Sequence, residues 1–386
     1  MFSPRLPADY LPNRLAQARE RHAVRFDLTV TNPTVCGLPY PPDLLQLLGS
    51  PEGLVYRPDP RGLEGARQAV ARDYARHWTA VDPERVVLTA STSEAYAFLF
   101  KLLCAPGEAV LVPTPSYPLF EHLARVEGVR PLAYRLDADH GWRLDPDELD
   151  RADDSVRAVI VVHPNNPTGS YVHPEDAALL EALCARRGWA LIADEVFLDY
   201  PLAGGPGSRH SFASTPGALT FTLGGLSKSV GLPQLKLAWI VASGPPDLIR
   251  PALLRLEFVG DTFLSVATPV QLALPALLAE GARVREAILE RCRTNLASLA
   301  SRVTSCPALE LVAPGGGWSV VVRFPAVVGE EELALELLER DRVAVHPGFF
   351  FDFPRDGYLV LSLLPEPASF VAGVDLTLAR ITAHIE

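Results

Sequence analysis

From about residue 85 onward the chain alternates short apolar runs with longer segments of helical spacing, and few folds accommodate that alternation. It reads as an α/β protein with a largely parallel sheet. The runs RVVLT (85–89), AVLVP (109–113), VRAVIVVHP (156–164), WALIAD (189–194), ALTFTL (218–223) and LKLAWIVAS (235–243) read as strands. SEAYAFLFKLLC (93–104) and PEDAALLEALCARRG (174–188) read as helices between them. Together they predict a mostly parallel sheet of roughly seven strands between helices. Ligands bind such sheets at the carboxyl ends of the strands.

Beyond residue 245 a long helical stretch carries an apolar loop, GDTFLSVATP, and resumes as GARVREAILERCRTNLASLASRV. GGGWSVVVRFP, a helical EEELALELLERD, VAVHPG and YLVLSLLP follow, and they predict a smaller α+β domain. A chain of 386 residues exceeds what one core usually supports. The expected division is a large domain over 41–280 and a small domain made of 281–386 with residues 1–40 as an N-terminal arm.

Composition excludes several functions. A formal net charge of −11 without a dense Lys/Arg block argues against nucleic acid and anionic membrane as partners. No signal-peptide pattern and no spanning apolar stretch is present, so a soluble, cytoplasmic protein is expected. The five cysteines, Cys36, Cys104, Cys184, Cys292 and Cys306, show no metal-ligand spacing and are expected to be buried small hydrophobes; no metal site is expected. Among 35 basic residues only Lys101, Lys228 and Lys236 are lysines. Arginine fills nearly every position where any cation would serve, so the remaining lysines point to chemistry that a guanidinium cannot perform, such as attack on an aldehyde.

The candidate chemistry lies where strands end. TASTSEA (89–95) puts hydroxyls at a helix start, where backbone N–H groups and the helix dipole suit a phosphate. Ser91 or Thr92 would equally cap an ordinary helix, with Glu94 in its first turn. HPNNPTG (163–169) follows a buried strand with two amides and a tight turn. Asp194 closes the apolar WALIAD strand with a charge that needs a cationic or hydrogen-bonding partner. In LGGLSKSVGLPQLKLAWI (223–240), Lys228 sits among Gly and Ser, where a backbone can approach a ligand closely.

The order of Tyr56 before RPDPRGLEGAR, then TASTSEA, PTPSYP, NNPTG, ADEVF and GLSK with a second lysine eight positions on, resembles the class I/II aminotransferases. These are the fold-type I family of pyridoxal-phosphate enzymes, and the resemblance runs from TNPT (31–34) to the C-terminal strand. It implies pyridoxal 5′-phosphate held by Lys228 as a Schiff base, with Lys228 also shuttling a proton. It implies Asp194 on the pyridine nitrogen, Asn166 on the ring 3-oxygen and Tyr117 on the ring face. Ser91, Thr92, Ser227 and Lys236 would take the phosphate, Tyr56 would reach the phosphate of a neighbouring subunit in a homodimer with shared sites, and Asn32 would face the substrate. The implied reaction moves an amino group between an amino acid and a 2-oxo acid. A lyase, decarboxylase or oxidase acting from the same external aldimine is the alternative. A cofactor-binding regulator would need a DNA-binding module, for which no basic helix is present.

Three positions depart from the family pattern: Phe197 stands where a tyrosine is common, Lys236 where an arginine is, and Val360, in GYLV (357–360), where an arginine holds the substrate carboxylate. Arg355, in the FFFDFPRD loop before that strand, and Arg323, after the Gly-rich turn, are the expected substitutes, Arg355 foremost.

Overall fold

A computed structural model of the chain describes residues 3–7, 11–203 and 210–386; positions 1–2 and 8–10 of the expected arm lie outside the described residues. The large sheet contains β1 (Val86–Thr89), β2 (Ala109–Thr114), β3 (Arg130–Asp137), β4 (Arg143–Leu144), β5 (Val156–Val162), β6 (Ala190–Asp194), β7 (Thr220–Gly225) and β8 (Ala238–Ser243). Their order is β1-β8-β7-β6-β5-β2-β3-β4. Neighbours from β7 to β3 are parallel. β8 is antiparallel to β1 and β7, and β4 is antiparallel to β3. The sheet therefore has eight strands where roughly seven were expected. β3 reads RPLAYRLD and is mostly exposed or half-buried, so it lacks the continuous apolar run that marks the central strands. Every residue of β6, β7 and β8 is buried.

Helices cover both faces, which is why those strands are apolar throughout. On one face α1 (Thr92–Leu103) and α3 (Pro246–Phe263) bring Phe98, Leu99, Ile249 and Leu256 against Val110, Ile160, Ile192 and Phe221. On the other, α2 (Pro174–Arg187) brings Leu180, Leu183 and Cys184 against Leu111, Val159 and Leu191. Cys36, Cys184 and Cys292 are buried free thiols, as expected; Cys104 and Cys306 are only half-buried.

The C-terminal part forms a four-stranded antiparallel sheet of β9 (Glu310–Val312), β10 (Ser319–Arg323), β11 (His346–Pro347) and β12 (Tyr358–Ser362), ordered β9-β10-β12-β11. The N-terminal segment is stitched to it. Phe26–Asp27 pairs in parallel with Val343–Ala344, and the Ser362 N–H donates to the Leu28 carbonyl at 2.7 Å, so Thr29 and Thr31 follow beside the end of β12.

One helix, α4 (Thr268–Val303), serves both cores. Among its buried positions, 270, 274, 277, 281, 284, 288, 292, 295, 299 and 303 recur every three or four residues down its 36 residues, and 271, 273 and 278 widen that stripe in the first half. Leu274 and Leu277 pack with Leu88 and Trp239 of the large sheet, whereas Val284, Ile288 and Leu299 pack with Val320, Leu361 and Phe370. The stripe crosses from one core to the other at Gly281. A Cβ there would lie 2.5 Å from Cβ of the fully buried Val230, two residues beyond Lys228. Gly281→Ala should gain about 1 kcal/mol of helix propensity yet lose ~1–3 kcal/mol to overpacking against a stiff β-branched neighbour. A net fall in Tm by thermal denaturation is expected, and an unchanged or higher Tm would show that the junction can relax.

Candidate active site

The carboxyl ends of β1, β2, β5, β6 and β7 open on a cavity of about 490 Å3, closed on its far side by β10, β11 and β12. Lys228 enters it from the short helical turn Leu226–Ser229 after β7. Gly224 and Gly225 let β7 pass close to β8: a Cβ on Gly225 would lie 2.8 Å from that of Ala238, and one on Gly224 2.5 Å from the Trp239 indole nitrogen. Tyr200 Oη donates to the Lys228 carbonyl and fixes the turn. The Lys228 amine lies 5.0 Å from the centre of the Trp318 ring and 5.7 Å from that of Phe197. Burial holds its pKa below the usual lysine value of 10.5, against the opposing pull of Asp194.

Asp194 ends β6 inside the same cavity. Its carboxylate accepts from Tyr96 Oη at 3.0 Å and from the Val196 N–H at 3.2 Å. Burial pushes its pKa up to about 6, despite both hydrogen bonds and the Lys228 charge. The adjacent Glu195 turns to the other side, where Phe212 N–H and Ser211 Oγ donate to it at 2.6 and 2.8 Å, and burial pushes it up to about 8.

At the start of α1 the Ser91 hydroxyl accepts from the Glu94 N–H at 3.1 Å, and Glu94 reaches back to the Ala90 N–H at 2.6 Å, so the helix is capped from both sides. Capping and cavity lining coexist: Ser91, Thr92 and Ser93 all face the cavity. Thr89 pairs with Ala238, and Ser91 and Lys236 lie two residues further along, which brings them to the same edge with Ser227. In the NNPTG turn Asn165 does the structural bonding, to Pro115 O at 3.0 Å and Thr168 Oγ1 at 2.9 Å, leaving Asn166 on the cavity wall. Tyr117 and Phe197 line it as well.

Four expected residues are not brought there. Arg323 shares the Ser319 face of β10 but sits four residues on, roughly 13 Å away, where it pairs with Glu310 at 3.1 Å. Arg355 is directed to Asp139 at 3.4 Å and to Tyr358 Oη at 3.4 Å, half exposed outside the cavity. Neither arginine therefore replaces what Val360, which does line the cavity, lacks. Asn32 is occupied by the Thr34 N–H and hydroxyl at 3.1 and 2.7 Å, and its neighbours Thr29 and Thr31 are the lining residues. Tyr56 is 72% exposed, away from this wall. Sequence reasoning missed Tyr96, Trp318, Ser319 and His346. Tyr96 lies one helical turn after Thr92 and was traceable by that spacing. The other three belong to segments read only as small-domain strands.

A buried amine and a buried carboxylate line one cavity together with the hydroxyl-bearing start of a helix, an arrangement suited to a small molecule that carries an anionic group. The comparisons narrow that class: residues 46–365 match the model of aminotransferase class I and II, and the chain belongs to that family. It is 25% identical to a glutamate-pyruvate aminotransferase, AlaA, of Haemophilus influenzae, over 88% of this chain and 86% of that one. It is 26% identical to an alanine aminotransferase of Mycobacterium tuberculosis, over 92% and 87%. In fold it is similar to an alanine aminotransferase from Pyrococcus furiosus, with a TM-score of 0.86 and 22% identity over 99% and 100% of the two chains. The chain is thus a fold-type I aminotransferase, moving an amino group between an amino acid and a 2-oxo acid.

Glu195 supplies a test of the site's electrostatics. Between its ordinary value of 4.5 and about 8 the folded state keeps a proton that the unfolded chain releases, so stability falls as pH rises through that window. Asp194 acts with the same sign only up to about 6. Urea unfolding of the cofactor-free protein between pH 6 and 8 should lose up to ~1.4 kcal/mol per pH unit to Glu195. Glu195→Gln should flatten that slope, and an equal slope in both proteins would refute the assignment.

Proposed function

We propose that this cavity binds pyridoxal 5′-phosphate, that Lys228 carries it, and that the chain uses it for amino transfer. The observation carrying the reading is the buried Lys228 amine opposite Asp194, with the α1 start and Lys236 at the same sheet edge. Nucleophile, counter-charge and anion seat match the aldehyde, ring nitrogen and phosphate of that molecule. When bound, it supplies an exchangeable carbonyl and a protonated ring that draws electrons from the substrate α-carbon.

The protein's residues do the rest. Desolvation favours neutral Lys228, whose amine would hold the cofactor through its carbonyl carbon, the carbonyl oxygen leaving as water, and, once released by the substrate amine, would move a proton to and from the α-carbon. Asp194, positioned by Tyr96, would hold the protonated ring nitrogen, and its carboxylate would be favoured in the ionised form by that pairing. Ser91, Thr92, Ser227 and Lys236 would take the phosphate, Asn166 would donate to the ring oxygen, and Tyr117 would cover a ring face. Exposed Tyr56, beside exposed Leu54 and Val55, is read as reaching a second copy's phosphate in a homodimer. No helix among the described residues is long and apolar enough to cross a membrane, and the enzyme is taken to work in the cytoplasm. Given its relatives' names, glutamate with pyruvate is the first pair to assay.

Borohydride reduction followed by tryptic mapping should find the cofactor on Lys228; an adduct on Lys101 or Lys236 would overturn the assignment. Lys228→Ala should slow transfer by at least ~10^3. Phe197 would offer no donor to the ring oxygen of the bound cofactor, so the Lys228 nitrogen, once joined to the cofactor, would keep its proton to higher pH. Phe197→Tyr should lower the pH midpoint of the visible absorption change by on the order of 1 unit, and an unchanged or raised midpoint would count against that role.

A further inference from the structure

An amino-acid substrate brings a carboxylate into a cavity that excludes most water, and an unpaired charge there is costly. Among the described lining residues only Lys228, Lys236 and His346 can carry positive charge. Lys228 is committed to the amine chemistry, and Lys236 stands at the sheet edge with Ser91, at the far end of the cavity from the small domain. His346 is on the opposite wall. It lies on β11 in direct register with Val360 of β12, and both residues line the cavity, so their side chains are neighbours on one face. The hydroxyls nearby are unequally available. Thr29 donates to Asp27, and Ser362 donates to the Val30 carbonyl, whereas Ser319 makes only a long 3.5 Å contact with Asn166.

We propose that His346, assisted by Ser319, receives the carboxylate of the amino-acid substrate. The inference rests on the amino-transfer reading of this cavity. Imidazole binds a carboxylate well only when protonated, and its surroundings leave that proton to be supplied on binding. Burial lowers the His346 pKa below 6.5, Arg19 adds to this, and Asp27 and a hydrogen bond with the Thr29 backbone oppose it. The groups packed around it are Arg19 from the helix Arg14–Arg21, Asp27 from the N-terminal strand, the uncharged rings of Phe350 and Phe351, and Val360. Asp27 is itself paired with Arg19, so an arriving carboxylate adds the counter-charge that favours the protonated ring; binding takes up a proton from solvent, and affinity weakens as pH rises. A permanently charged arginine in its place would add no proton uptake of its own.

The test uses the cofactor-loaded full-length protein and 2-methylalanine, an amino acid without an α-proton, so that binding is read by absorption and calorimetry without turnover. Wild-type protein should bind it with net proton uptake, seen as different heats in two buffers, and about tenfold more weakly per pH unit on the alkaline side. His346→Ala should bind it at least tenfold more weakly without proton uptake, and in assays raise KM for the amino acid with little change in kcat. His346→Gln, a neutral donor, should recover part of the affinity with a flat pH profile. Isopropylamine, the same skeleton without the carboxylate, should bind wild type and His346→Ala alike. Equal binding of 2-methylalanine by wild type and His346→Ala would overturn the proposal, as would equal losses for both ligands. Failure of the underlying reading is distinct, because wild-type protein itself would then give no absorption change with either ligand.

Discussion

Lys228 and Asp194 keep an amine and a carboxylate where each loses most of its hydration, and neither would persist there without the elements around it. A lone buried charge costs several kcal/mol and otherwise neutralises. The shifts of both groups, downward for the amine and upward for the carboxyl, run in the direction that burial dictates. Tyr96 reaches Asp194 from α1, Tyr200 grips the Lys228 carbonyl, and the glycine pair at the end of β7 lets the lysine turn lie against β8. Much of the local sequence around the strand ends is thus the means of holding two uncomfortable charges apart but facing.

The second dependence is mechanical. The cavity lies between two sheets with separate cores, and its dimensions hold only if the cores keep their relation. A single buried stripe on α4 enters both, and Asn295 near its end donates to the Leu363 and Pro365 carbonyls at 2.9 and 2.8 Å, tying the helix to the chain just beyond β12. The N-terminal segment supplies another tie: bonded to β12 through Leu28 and Ser362, it runs on to Tyr40, whose Oη donates to the Gly231 carbonyl at 2.6 Å, three residues beyond Lys228.

How much of this was readable from the chain follows from what kind of signal each part leaves. Central strands are covered on both faces and so are written as unbroken apolar runs; the strand Arg130–Asp137, bordered on its outer side only by the two-residue Arg143–Leu144, is half solvated and left no such mark. The motif residues Lys228, Asp194, Asn166, Ser91 and Tyr117 sit at strand ends of the large sheet, and the structure gathers them on one cavity. Arg355 and Arg323 were inferred from closeness in sequence to Val360. In an antiparallel sheet, however, the neighbours of a side chain lie on other strands, at paired register, and His346 is such a neighbour while Arg323 is opposite Tyr358 instead. Periodicity within a segment cannot supply that pairing, which depends on contacts across the fold.

The two walls of the cavity also differ in what substitution can do to them. The wall bearing Lys228, Asp194 and the α1 start is fixed by buried hydrogen bonds and close glycine contacts, so most changes there damage the machinery itself. On the opposing wall Trp318 packs against Phe197 and Tyr200, but Ser319, His346 and Val360 belong to the second sheet, and no close packing ties His346 or Val360 to Lys228 or Asp194. Descendants of such a chain can therefore drift on the second wall, acquiring new preferences one side chain at a time, while inheriting the reaction unchanged.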